Sequence, residues 1–214
     1  MKKITLILVL SIVSFSVFSQ KKKNNEKSDL ENLSINGLKW RSVGPALTSG
    51  RISDIAVNPN NPSEYYVAVA SGGVWKTQNW GVSFEPIFDN ENSYSIGCIA
   101  IDPENPNVVW VGTGENNNQR SVAYGDGVYK SSDGGKSWKN TGLKNSEHIG
   151  NILIHPDNSN IIYVAAYGPL WNKGGDRGIY KSENGGQDWE RILYVDEHTG
   201  FNEIHMDPRN PKVL

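Results

Sequence analysis

The chain is 214 residues long with a formal net charge of −2, which excludes the broad basic footprint by which proteins hold nucleic acid. Twenty-two glycines and an aromatic share of 10%, with no long stretch of helical apolar period, point to many short strands joined by turns. The single cysteine, Cys98, excludes an internal disulfide, so packing must hold the fold; within "IGCIAI" it reads as a small buried hydrophobe.

In chain order, residues 1–19 have the three parts of a secretory signal peptide. They are the positive "MKK", the apolar run "ITLILVLSIVSFSVF", and Val17 and Ser19 at the −3 and −1 positions of a cut before Gln20. No cysteine follows the apolar run, which argues against a bacterial lipid anchor. Residues 20–37 are polar and are expected to form a flexible lead-in. The expected location is therefore outside the bacterial cytoplasm, whether periplasmic, cell-surface or secreted. No membrane span is expected once the signal is removed.

From residue 38 onward the sequence repeats. Pro59, Pro103, Pro156 and Pro208 recur every 44 to 53 residues. Before them stand Ile55/Val57, Ile99/Ile101, Ile152/Ile154 and Ile204/Met206, spaced by two as on one face of a strand. Second strands carry Tyr66, Trp110 and Tyr163, each seven residues past its proline. Third strands read "GVWKT", "GVYKS" and "GIYKS", and a short fourth strand begins at Phe84, Trp138 or Trp189. Four short strands per unit at this period define an all-β fold, a β-propeller of four-stranded antiparallel blades. The blades fall at about 51–90, 95–143 and 147–195, with a further one starting over 200–214. Because propellers close with at least about four blades, the chain reads as the N-terminal part of a longer propeller. Leu38–Val43, "LKWRSV", is expected to complete the last blade.

Between third and fourth strands lie three related hairpins. From the third-strand glycine to the closing aromatic each spans eleven residues. "SSDGGKSW" holds Ser131, Asp133, Gly135 and Trp138; "SENGGQDW" holds Ser182, Asn184, Gly186 and Trp189; "TQNWGVSF" holds Thr77, Asn79, Gly81 and Phe84. An Asp or Asn side chain there can accept backbone N–H groups across a tight turn. The alternation of Asp with Asn suits a turn and not an acid catalyst. These segments resemble the Asp-box, or BNR, repeat of form S-x-D-x-G-x-[ST]-W, matched by "SSDGGKSW" at every fixed position. The resemblance covers residues 38–214 and looks closest to sortilin-N-terminal-like proteins exported by bacteria, many of them labelled glycosyl hydrolases. It implies that the boxes are structural and lie away from the working face.

The first-to-second and third-to-fourth turns share one face, and the second-to-third loops and blade connections share the other. Proline-to-glycine spacings of 14, 24 and 22 residues place insertions in blades two and three on that second face. Arg120, Tyr124, Tyr167, Trp171 and Arg177 are the candidate ligand-binding residues there, with rings for an apolar platform and polar groups for orientation. Glycoside hydrolysis needs two facing carboxyl groups, and Glu115, Asp126, Asp176 and Asp54 are the candidates. The resemblance to sialidases is weakened at "GRIS", where Ser53 replaces the proline of an Arg-Ile-Pro motif. Xyloglucanase-type enzymes carry an acid in a D-x-G-G stretch where this chain has "ASGG", with Ala70 at the acid's place. The expected function is a binding or scaffold module for a glycan, peptide or protein ligand, with a glycoside hydrolase as the alternative. His148, His155, His198 and His205 show no metal-ligand spacing, so no metal and no cofactor are expected.

Overall fold

The computed structural model describes residues 50–117 and 122–214. The expected signal peptide, the polar lead-in, Leu38–Val43 and Arg120 lie outside the described residues. Twelve strands form three antiparallel sheets of four, each in sequence order. The first sheet holds β1 (Ile52–Val57), β2 (Tyr65–Val69), β3 (Gly73–Thr77) and β4 (Glu85–Pro86). The second holds β5 (Ile96–Ile101), β6 (Val109–Thr113), β7 (Val128–Ser131) and β8 (Lys139–Gly142). The third holds β9 (Ile149–Ile154), β10 (Ile162–Ala166), β11 (Gly178–Ser182) and β12 (Glu190–Leu193). The first strands β1, β5 and β9 lie side by side. These are three blades of a β-propeller.

The strand assignments follow the sequence pattern with two differences. Each fourth strand begins one residue after its aromatic, and in the second and third blades that ring, Trp138 or Trp189, turns to the preceding blade. Residues 200–214 form only an isolated bridge between Asp207 and Asn210. Ile204 and Met206 are half-buried as a first strand's inner face should be. A first strand is ordered by its ladder to a second, however, and none of the described residues supplies one here.

The core lies between blades. Tyr66, Ala68, Val74 and Phe88 of the first blade pack with Ile99, Val109, Val111 and Tyr129 of the second. Trp110, Val128 and Leu143 of the second pack with Ile152, Ile154, Ile162 and Tyr180 of the third. Cys98 belongs to this second cluster, and burial raises its thiol pKa well above the usual range. Burying one such large side chain contributes about 1.5–3 kcal/mol. An exposed ion pair such as Lys181–Glu183 is worth about 0–1 kcal/mol, so apolar packing dominates blade stacking. Ile55 and Val57 occupy the equivalent positions in β1 and are half exposed, since no preceding blade covers them among the described residues.

The hairpins between third and fourth strands lock this stacking. In the second blade Asp133 Oδ1 accepts the Ser137 backbone N–H at 2.9 Å and the Ser131 hydroxyl at 2.8 Å, while Oδ2 accepts the Ser137 hydroxyl at 2.6 Å. Ser131 Oγ in turn accepts Gly135 N–H at 2.9 Å. Asn184 and Ser182 repeat the set in the third blade, with Asp188 N–H on Asn184 Oδ1 at 3.0 Å and Gly186 N–H on Ser182 Oγ at 2.8 Å. Asn79 and Thr77 repeat it in the first, through Ser83 N–H at 3.0 Å and Gly81 N–H at 2.9 Å. Each hairpin is pinned to the first-to-second turn of its own blade, Gly134 N–H to Asn107 O at 2.8 Å and Gly185 N–H to Asn160 O at 3.0 Å. The two kinds of turn therefore share one face, as the chain direction requires.

Across the blade boundary the Trp138 indole N–H donates to Ile87 O at 2.8 Å, and that of Trp189 to Thr141 O at 3.0 Å. Lys76 and Lys130 lie over the Tyr66 and Trp110 rings and donate to the Gly134 and Gly185 carbonyls of the next hairpin. Gly186 has φ +85°, and a Cβ there would lie 2.4 Å from the Trp110 ring. Only glycine fits that seat. In the first blade Trp80 takes the place of Gly134 with φ 62° and stands exposed, free of any such neighbour among the described residues.

Four hydrogen-bond donors lower the Asp133 pKa from 3.8 to about 2, the Ser137 hydroxyl first, then the Ser137 N–H, the Ser131 hydroxyl and the Lys136 N–H. A carboxylate with a depressed folded pKa stabilises the fold above its unfolded value, and that contribution disappears as pH falls through about 2. We expect Asp133→Ala to lower the melting temperature at pH 7 and Asp133→Asn to be tolerated, as Asn184 is in the third blade. The melting temperature of Asp133→Asn should also fall less steeply than wild type from pH 4 to 2, checked by thermal melts across that range. An alanine variant as stable as wild type would refute the role.

Candidate functional site

In every sheet the first strand starts and the second ends at the face opposite the hairpins, as the pairs Ile52–Val69, Ile96–Thr113 and Ile149–Ala166 show. The second-to-third loops and blade connections gather there.

Arg177 is expected from sequence to touch a ligand, and the structure gives it a different task. It is buried, and all five of its N–H donors meet backbone carbonyls. Nε reaches Gly174 O at 2.8 Å, and Nη1 reaches Tyr167 O at 2.8 Å and His198 O at 3.4 Å. Nη2 meets the carbonyls of Pro169 and Asn172. A guanidinium can offer no more than five donors, so none remains for a ligand. Arg177 instead ties the 167–177 loop to the connection at 196–200. Between these segments lies a cleft of about 380 Å³ lined by Tyr167, Trp171, Lys173 and His198. Trp171 stands 61% exposed at its side, and Lys173 pairs with Glu197 at 3.2 Å.

The four candidate carboxylates are distributed over three blades, and each has a partner inside the protein. Asp54 accepts the Ile99 backbone N–H of the neighbouring first strand at 3.0 Å. Asp126 accepts the Tyr129 hydroxyl at 2.6 Å; burial, then this bond, pushes the Tyr129 pKa up to about 12. Asp176 accepts Asn145 N–H at 3.0 Å. Glu115 is fully buried at the end of the second blade's second strand, where it meets the Arg51 guanidinium and the Asn117 amide. Ala70 is buried, and its N–H donates to Arg51 O at 2.8 Å.

Tyr124 is exposed on the same face, its ring 5.7 Å from that of His148. His148 is fully buried with neither ring nitrogen partnered among the described residues. Burial lowers its pKa to about 4, so it stays neutral where exposed imidazoles titrate. His155, by contrast, caps its turn by accepting Asp157 N–H at Nδ1, at 3.2 Å.

Two residues escape the sequence reading. Tyr94, in the connection between the first two blades, is 64% exposed on this face. Glu91, nearby in the same connection, has its pKa raised by burial first and then by the Asp126 charge. Neither lies in an insertion, so loop length gave no signal for them. Among the described residues no group of three or more His, Cys, Asp or Glu could hold a metal, and no helix is long and apolar enough to cross a membrane.

No family model matches the chain. It is 26% identical over 166 residues to a xyloglucanase of Hypocrea jecorina, covering 72% of this chain and 19% of that protein. It is 27% identical over 156 residues to a probable oligoxyloglucan-reducing end-specific xyloglucanase of Neosartorya fischeri, covering 64% and 17%. The crystal structure of an ancestral GH74 enzyme superposes with a TM-score of 0.58 at 22% identity, covering 77% of this chain and 21% of that one. The chain thus spans about a fifth of the length of the relatives it matches, and the structural likeness supports the propeller fold.

Lysine cannot reproduce the planar five-donor fork of Arg177. Arg177→Lys should leave buried carbonyls unpaired and cost about 2–3 kcal/mol of stability, read by denaturant unfolding. A variant as stable as wild type would show that the loop does not depend on this cation.

Proposed function

We propose that this chain contributes three blades to an exported propeller of glycoside hydrolase type, with its glycan on the loop-rich face. The observation that carries the reading is the similarity to xyloglucanases over 166 residues. It is supported by exposed Tyr94, Tyr124 and Trp171 on one face, since aromatic rings offer an apolar platform to a sugar face while polar neighbours fix its orientation. The substrate class is then a polysaccharide of the xyloglucan kind. Within this reading residues 1–19 are the signal peptide and residues 20–37 the lead-in. The hairpins are Asp-boxes, as in sortilin-N-terminal-like exported proteins.

A second reading, a propeller that binds glycan without cleaving it, is favoured by Ala70. A buried methyl group cannot serve as the acid of a D-x-G-G stretch, and the four candidate carboxylates are engaged within the protein.

The test is made with the full-length protein and a xyloglucan oligosaccharide, measuring binding by calorimetry and cleavage by new reducing ends. Binding with cleavage is expected, and Trp171→Ala should weaken binding by at least about 1 kcal/mol, since a central aromatic anchor is lost. Binding without cleavage selects the second reading. Absence of both contradicts the proposal.

A further inference from the structure

A chain of contacts joins three exposed or half-exposed side chains at the seam of the first two blades. Gly73 N–H donates to Tyr94 O at 2.9 Å, and Gly114 N–H to Ser95 O at 2.7 Å. Ser95 Oγ donates to Ala123 O at 2.9 Å and accepts Glu115 N–H at 2.9 Å. Ser93 Oγ reaches Tyr124 O at 3.3 Å. The connection bearing Tyr94 is thereby stitched to the insertion bearing Tyr124, and both border Glu115, whose carboxylate holds Arg51.

Arg51 is 52% exposed while Glu115 is 0% exposed. The guanidinium therefore faces solvent with its charge balanced from below. Glu115 Oε2 and Asn117 Oδ1 are buried without a hydrogen-bond partner among the described residues, and so are both nitrogens of His148 beneath the Tyr124 ring. The same face offers the exposed Tyr94 and Tyr124 rings and the half-exposed Arg51 donors, a combination that suits a ligand rich in O–H groups.

We infer that Tyr94, Tyr124 and Arg51 form a subsite for neutral pyranose units of a glycan, with Glu115 as the positioning residue that aims and neutralises Arg51. The inference rests on the glycan reading above and deepens it. The two rings take the apolar faces of sugars, and Arg51 donates to ring or hydroxyl oxygens. Because the guanidinium charge is already paired, the subsite has no net attraction for an acidic sugar.

The test uses the full-length protein with two probes, a xyloglucan oligosaccharide and an oligogalacturonate of similar length. Wild type should bind the neutral probe more tightly. Tyr94→Ala and Tyr124→Ala should each weaken it by on the order of tenfold, the effect of removing an aromatic anchor. Trp80→Ala, which removes an exposed ring from the opposite face, should leave it unchanged. Glu115→Gln releases the Arg51 charge, so the preference should shift several-fold toward the acidic probe, a readout that a merely structural carboxylate would not move. If Glu115→Gln does not fold, Arg51→Gln still tests the subsite by weakening the neutral probe several-fold. A wild type that binds xyloglucan while Tyr94→Ala, Tyr124→Ala and Arg51→Gln bind it equally well overturns this inference and spares the glycan reading. Tighter binding of the acidic probe by wild type also overturns the inference. Binding of neither probe overturns both.

Discussion

The second and third blades are each fixed to the blade before by a hairpin glycine seated against one of its side chains. Gly186 lies on the Trp110 ring and Gly135 against the Ile87 side chain, at distances that leave no space for a Cβ. That approach needs a hairpin of one shape, and the Asp or Asn carbonyl oxygen that gathers N–H groups across the turn supplies it. The tryptophan N–H bonds to Ile87 and Thr141 and the lysines over Tyr66 and Trp110 follow from the same seating. The energy lies mostly in the buried rings, and the polar groups set register.

With one face so constrained, the other is released to vary. The loops at 114–127 and 167–177 differ in length and composition, yet both are anchored by buried charge. Glu115 beneath Arg51 anchors the start of the first, and Arg177 within five carbonyls anchors the second. Both anchors use polar groups where a loop has too little apolar material to pack, and a buried charge is retained only with its partners in place. Arg177 thereby holds the segment that carries the exposed Trp171 ring in place.

The architecture was legible in the sequence because its causes are local and repeated. Alternating Ile55/Val57-type pairs, proline turns and eleven-residue hairpins each encode one element, and recurrence removes ambiguity. The site was only partly legible. Trp171 and Tyr124 were visible as aromatics within insertions, whereas Tyr94 sits in an ordinary connection and gave no such signal. Arg177 looked like a ligand contact because composition cannot show a guanidinium folded back on its own loop. Asp54 and Asp176 looked available for chemistry because their backbone N–H partners lie 45 and 31 residues away in the chain. Residues 200–214 carried a strand pattern without the ladder partner that would order it.

The central claim is a division of labour, with hairpins that build and loops that bind. Its most direct test is a nitrogen–proton correlation spectrum of the full-length protein titrated with a xyloglucan oligosaccharide. The indole N–H of Trp171 should shift, while those of Trp138 and Trp189, held by the Ile87 and Thr141 carbonyls, should stay in place. Movement of Trp138 and Trp189 with a silent Trp171 would contradict the account.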